Sequence, residues 1–192
     1  MRQPLALGGI LGGLVLFLWG AVSWMVLPWH PMTLQKFTDE AAVAGIVSLT
    51  APRAGVYILP NPHKHEPGMT EEQKKRAEEE GHRRMMQGPF MFAAVSVSGA
   101  RPMASALLTS LLGNILAALL ATLLLLKTSG LSYAGRVGFL VTIGLTAGVI
   151  ADLPDWTWWN FSTSYTGVAF ADLLVGWLLA SLVMAKVVTA RT

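Results

Sequence analysis

No cysteine occurs among the 192 residues, and only 13% of them are charged. The first absence removes disulfide frameworks, thiolate metal sites, cysteine nucleophiles and dithiol exchange. The second leaves the chain with roughly half the charge of a typical globular domain. Together with 53% hydrophobic residues and a mean hydropathy of +0.52, it excludes a disordered chain and points to a membrane. The net charge of +3 comes from 14 Lys and Arg against 11 Asp and Glu, which makes no chain-wide positive field, so a nucleic-acid partner is not expected.

Histidine is also scarce. His30, His63, His65 and His82 are the only four, and none lies in an apolar run, which excludes bis-histidine haem ligation inside a bundle. The sequence has no His-Glu-x-x-His, no glycine-rich phosphate loop before a helix and no nucleophile elbow. No catalytic set is therefore expected.

What the sequence does hold is four apolar runs. Leu5 to Leu27 is 23 residues without a charge, bracketed by Pro4 and Pro28. At a rise of about 1.5 Å per residue it covers a hydrocarbon core of about 30 Å. Met103 to Leu126 gives 24 more uncharged residues, opened by Pro102 and closed by Lys127. A third run, around Ser132 to Asp152, has a strictly apolar stretch of 15 residues from Val137 to Ala151, with Arg136 placed to snorkel and Tyr133 to sit at an interface. The fourth, Ser164 to Val188, is interrupted only by Asp172 before Lys186. Arg2 and the small residues Ala21 and Ser23 raise a cleaved signal peptide as an alternative for the first run. An uncleaved anchor is expected instead, because the apolar stretch outlasts the usual length of about 7 to 15 residues.

These runs predict an all-α membrane protein. It is a four-transmembrane-helix bundle with a small α+β extracytoplasmic domain between helices 1 and 2. Residues 1–28 form the first helix, 29–102 the extracytoplasmic domain, and 103–192 helices 2–4. Lys127 and Arg136 flank the second connection, and Lys186 and Arg191 follow the fourth run, whereas Asp152 and Asp155 lie between the third and fourth. The positive-inside rule then puts both termini in the cytoplasm and residues 29–102 outside, with the bacterial inner membrane as the expected site.

The polar segment carries 17 of the 25 charged residues. Thr38, Asp39 and Glu40 predict a helix start before Ala41 to Leu49. Gly55 to Pro60 and Pro89 to Ser98 read as two strands, expected to pack as a hairpin under that helix. Between them, Thr70 and Gln73 have capping-box spacing. Glu71/Lys75, Glu72/Arg76, Glu79/Arg83 and Glu80/Arg84 pair at i,i+4, predicting a solvated helix to about Met86 with no apolar stripe.

Asp172 is the most informative single position, since a carboxylate at the bilayer centre costs about 2.5–3.5 kcal/mol and needs an inward partner. Counting depth from the helix ends selects Asn114. The pair reads first as an interhelical hydrogen bond fixing register, and second as a proton or cation relay or a polar ligand contact. Gly8/Gly12, Gly9/Gly13 and Gly144/Gly148, with Gly113, Ala117 and Ala121, predict close helix packing. Trp24, Trp29, Trp156, Trp158, Trp159 and Phe161 read as an interfacial belt, with a lipid or partner-subunit platform as the sharper alternative. His30 reads as an interfacial side chain. His63, His65, His82, Met85 and Met86 are suitable ligand types for copper or another transition metal, the only cofactor expected, against an ordinary solvated loop.

The function these features favour is a non-catalytic accessory, scaffold or assembly subunit, in contact with membrane lipid and with other membrane subunits or itself. Metal handling outside the membrane and a small proton-coupled transporter using Asp172 are the alternatives.

Overall fold

The computed structural model of the protein describes residues 2–61 and 67–188. In chain order its elements are α1 (Arg2–Met25), α2 (Trp29–Thr33), α3 (Glu40–Thr50), β1 (Gly55–Leu59), α4 (Glu71–Gln87), β2 (Met91–Val95), α5 (Met103–Leu125), α6 (Tyr133–Trp158) and α7 (Thr163–Val187). Four helices, α1, α5, α6 and α7, are long and apolar enough to cross a membrane, as the four runs predicted. The chain divides into two compact units, Met1–Gln35 with Arg101–Thr192, and Lys36–Ala100.

In the first unit, α1, α5, α6 and α7 alternate in direction. Gly8 faces Thr122 and Val188, while Gly13 faces Ile115, so α5 and α7 both run antiparallel to α1. Gly144 faces Trp177 and Gly148 faces Leu173, which sets α6 antiparallel to α7. α7 is the hub, packing on α1, α6 and α2, whereas α5 lies on α1 and only brushes α6. The buried core therefore fills one end of the bundle. There Ala118, Ala121 and Leu125 meet Leu140, Ala180 and Met184, all at most 2% exposed. Small residues bring the backbones close enough for dispersion contacts to hold helices that lipid would solvate equally well.

Helix ends follow side-chain chemistry. Ser132 caps α6 by accepting from the Gly135 amide at 3.1 Å, and Ser162 caps α7 by accepting from Tyr165 at 3.2 Å. Asn160, at φ 58°, supplies the left-handed residue between them. The α6 C-terminus departs from expectation. Asp152, Asp155, Trp156 and Trp158 were expected in or beside a loop, but they continue the helix through Pro154. Pro154 lacks only one amide donor and, near a helix end, leaves the following turn intact. Gly113 also departs from expectation, since a Cβ there would meet nothing within 4 Å. It faces away from the close contacts that Gly9 and Gly13 make with the same helix.

The second unit contains α3, capped by Asp39, whose carboxylate accepts from the Ala42 amide at 2.9 Å. β1 and β2 pair antiparallel, with Gly55 opposite Val95 and Leu59 opposite Met91. α4 opens with the predicted capping box: the Gln73 amide donates to Thr70 Oγ1 at 3.3 Å, and the Thr70 amide to Gln73 Oε1 at 2.8 Å. Its ion pairs partly shift register. Glu72 holds Arg76 as expected, but Glu71 holds Lys74, and Glu80 holds both Arg83 and Arg84. The hairpin is not covered by a helix as expected, because neither α3 nor α4 has a buried residue. Strands of five residues offer too small a face to draw a helix down, and Ile46 and Leu49 remain exposed.

Two predictions follow from this packing and these ion pairs. A Cβ at Gly13 would lie 2.5 Å from the Ile115 Cα and 2.7 Å from its nitrogen, backbone atoms that cannot swing aside. Gly13→Ala should lower stability by about 1–3 kcal/mol, whereas Gly113→Ala should be neutral or slightly stabilising. Thermal unfolding in one detergent compares them, and equal midpoints would contradict the packing.

Hydrogen bonds from Arg83 and then Arg84 hold the Glu80 carboxyl below its ordinary value of 4.5. Their support of α4 is therefore present above about that pH and is lost as pH falls through the lowered value. The Glu80 carboxyl carbon resonance should titrate below 4.5, and Arg84→Ala should move its midpoint back up.

Candidate functional site

Asp172 lies nine residues into α7, about 13 Å along the helix from its start. Its Oδ1 accepts from Trp19 Nε1 at 2.6 Å, and the same indole N–H also points at the Asp172 carbonyl at 3.0 Å. Its Oδ2 lies 3.1 Å from His30 Nε2.

His30 arrives there because α1 ends at Met25 and the chain reverses through Val26, Leu27 and Pro28 into the single turn and a half of α2. The histidine is held by more than the aspartate. Its Nε2 lies 3.0 Å from Ser23 Oγ, and Trp29 Nε1 donates to that hydroxyl at 2.9 Å and to the Ser23 carbonyl at 3.2 Å. Thr33 Oγ1 donates to the His30 carbonyl at 2.8 Å. Trp24 stacks on the imidazole with centroids 3.9 Å apart and planes 9° from parallel, and Trp29 meets it edge-on. Trp19 and Trp29 form a further edge contact at 6.1 Å. The result is a polar chain, Trp29 to Ser23 to His30 to Asp172 to Trp19, walled by indoles and joining α1, α2 and α7.

Ser23 and His30 are 0% and 3% exposed, while the Asp172 side chain keeps 17%. That remaining exposure opens on a cavity of about 640 Å³ between α1, α5 and α7, at the end of the bundle opposite the core. It exists because α5 and α6 part there. Asp152, Asn114, Ser110 and Tyr165 add polar groups to its wall, and Leu16, Phe17, Leu107 and Trp177 add apolar surface. Its volume lies in the range of small-molecule sites, about 300–1,000 Å³.

Asp172 and Asn114 do share a cavity, but Asp172 takes Trp19 and His30 as its hydrogen-bond partners. His30 is buried rather than interfacial. Trp24 and Trp29 belong to the wall of the His30 pocket, although Trp24 stays half exposed. Trp156 and Trp158 are both exposed on the last turns of α6, with Trp156 Nε1 donating to Thr163 Oγ1 at 3.2 Å. Trp159 and Phe161 follow half-buried, and the Phe161 ring meets Tyr165 at 5.4 Å.

Of the metal-binding candidates, His63 and His65 lie outside the described residues. His82, Met85 and Met86 share one face of α4 by their spacing. Among the described residues no group of three or more His, Asp or Glu is arranged to hold a metal ion.

The partnership of Ser23, Trp19 and His30 with Asp172 was not read from the sequence. The usable signal was Pro28 and Pro31 enclosing His30 directly after an apolar run, a pattern that forces a tight reversal and sends one side chain back toward the helix it follows.

Compared with known proteins, the chain matches no family model, no curated protein and no solved structure. Its function is read from its own geometry.

His30→Ala and Asp172→Ala should each lower stability by about 1–3 kcal/mol, because each leaves a buried polar partner unpaired. Because the two side chains act as a pair, the double variant should cost less than the sum by about 0.5–3 kcal/mol. Unfolding midpoints of the four proteins in one detergent measure this, and strict additivity would show that the two side chains do not interact.

Proposed function

We propose that the protein is a non-catalytic helical membrane protein that receives a small amphipathic ligand in its bundle cavity. The His30–Asp172 pair serves as the ionisable wall of that site, and the whole acts as an accessory subunit of a membrane assembly. One observation carries this reading: a hydrogen-bonded His–Asp pair that α1, α2 and α7 jointly build and that lines the cavity. An ionisable pair kept inside a membrane bundle at a cost of several kcal/mol marks a functional site by default. A cavity that is largely apolar with a few convergent polar groups suits an amphipathic occupant.

Topology supports where that ligand enters. Arg136 donates to the Ala185 carbonyl at 3.0 Å and the Leu131 carbonyl at 2.9 Å, so it caps the C-terminal end of α7 beside Lys186. Lys127 follows α5 at the same end. By the positive-inside rule this basic end is cytoplasmic. The cavity, flanked by Asp152, then opens toward the opposite face, and residues 36–100 form an extracytoplasmic segment. The exposed leucines of α5, Leu108, Leu112, Leu116 and Leu120, repeat at i,i+4 and leave a face for lipid or a partner helix.

A second reading, a proton-coupled transporter, is favoured by the same pair, because a carboxylate and an imidazole in contact beside a cavity can exchange a proton with a passing solute. The two readings differ in flux.

Gentle extraction into lipid nanodiscs followed by native mass spectrometry tests the proposal. It expects a bound small molecule or lipid at one per chain, lost in Gly20→Phe, whose side chain grows into the cavity from a position where a Cβ meets nothing within 4 Å. A stoichiometric partner chain is expected in the milder extracts. A chain that is empty and alone under all conditions overturns it. Proton or solute flux into liposomes that Asp172→Asn abolishes would decide for the transporter.

A further inference from the structure

We infer that the ligand of the bundle cavity is an organic cation, an alkylated ammonium on an apolar body. The inference rests on the reading of the cavity as a ligand site, and names the chemistry that site selects.

The wall carries two carboxylates, Asp152 and Asp172, and no lysine or arginine. Its one other ionisable group of opposite sign is His30. With both carboxylates ionised, the lining stays net negative whether His30 is neutral or protonated.

The two acids differ in what they have left to give. Asp172 spends Oδ1 on Trp19 and Oδ2 on His30. Asp152 is half-buried on α6, a turn beyond Gly148, with no hydrogen bond to any described residue. It is the carboxylate of the site with acceptor capacity left for a ligand.

Around these charges stand the rings of Trp19, Trp24, Tyr165 and Trp177. Indole and phenol faces attract a cation, and more strongly where water is excluded. The leucines and Phe17 lining the same space receive an apolar body. An inorganic cation would need a dense oxygen shell, six to eight ligands for calcium for example, and this wall does not offer one. A quaternary or alkylated ammonium needs only a negative field and aromatic surface. That chemistry belongs equally to a free amphipathic amine and to a choline lipid headgroup.

The test uses the full chain in nanodiscs of phosphatidylglycerol and titrates benzyltrimethylammonium by calorimetry, with empty discs subtracted. Its neutral isostere neopentylbenzene and the anion benzenesulfonate are the comparisons. The cation should bind at one per chain, about tenfold or more tighter than either comparison. Asp152→Asn should weaken it about tenfold, Asp152→Glu should restore much of the affinity, and Gly20→Phe should abolish it. Discs of phosphatidylcholine should lower the apparent affinity if a lipid headgroup is the natural occupant, and leave it unchanged if a free amine is.

Equal binding of the neutral or anionic compound, still blocked by Gly20→Phe, overturns the cation and keeps the cavity as a ligand site. Absence of any Gly20-sensitive binding, of these compounds or of lipid, overturns both. An unchanged unfolding midpoint for Asp152→Asn keeps its effect assignable to binding.

Discussion

The bundle is organised by the need of one carboxylate, Asp172, for partners inside an apolar helix array. At about 2.5–3.5 kcal/mol, a charge near the bilayer centre cannot be offset by one ordinary interhelical hydrogen bond, which averages about 0.6 kcal/mol in a membrane protein. Two bonds to a charged acceptor, each about 1.5–3 kcal/mol, are of the right size. Trp19 supplies one from α1, and His30 supplies the other from α2. The requirement then passes outward: His30 has to be brought back from beyond the end of α1, and Ser23 and Trp29 have to hold it there.

That demand explains why packing and polarity occupy opposite ends of the same four helices. At one end Gly8, Gly9, Gly12 and Gly13 let α1 press against α5 and α7, and alanines fill the seam. Toward the other end bulky indoles replace small residues. Gly176 accepts the edge of Trp19, the last close approach before the helices part around the cavity. A glycine-rich α1 that continued smooth to its C-terminus would close this space; the change to Trp19 and Trp24 keeps it open.

The four spans were legible because uncharged runs of more than 20 residues have few other uses. The capping box at Thr70 was legible because its chemistry is local. So was the exceptional character of Asp172, since a lone acid in an apolar run announces its own cost. Its partners were not. Depth counting along straight helices reached Asn114, which does share the cavity, but it could not foresee that Pro28 turns the chain back and delivers His30 to the same level. Glu80 pairs with Arg84 as predicted, but Glu71 takes Lys74 in place of Lys75 and Arg83 takes Glu80 in place of Glu79, for a milder reason: i,i+3 and i,i+4 partners are nearly equivalent on a helix surface, and side-chain rotamers choose between them. The uncovered hairpin shows the remaining gap, because periodicity identifies strands and helices without saying whether their faces are large enough to meet.

His30 and Asp172 are in direct contact within the bundle. Solid-state NMR on the full chain in lipid bilayers, labelled at the histidine ring nitrogens and aspartate carboxyl carbons, measures this through the dipolar coupling between His30 Nε2 and the Asp172 carboxyl. The structure, with Nε2 at 3.1 Å from Oδ2, predicts a weak but measurable coupling that disappears in Asp172→Asn labelled the same way. A spectrum in which His30 Nε2 couples to no aspartate carboxyl, with the helices otherwise intact, would contradict the account.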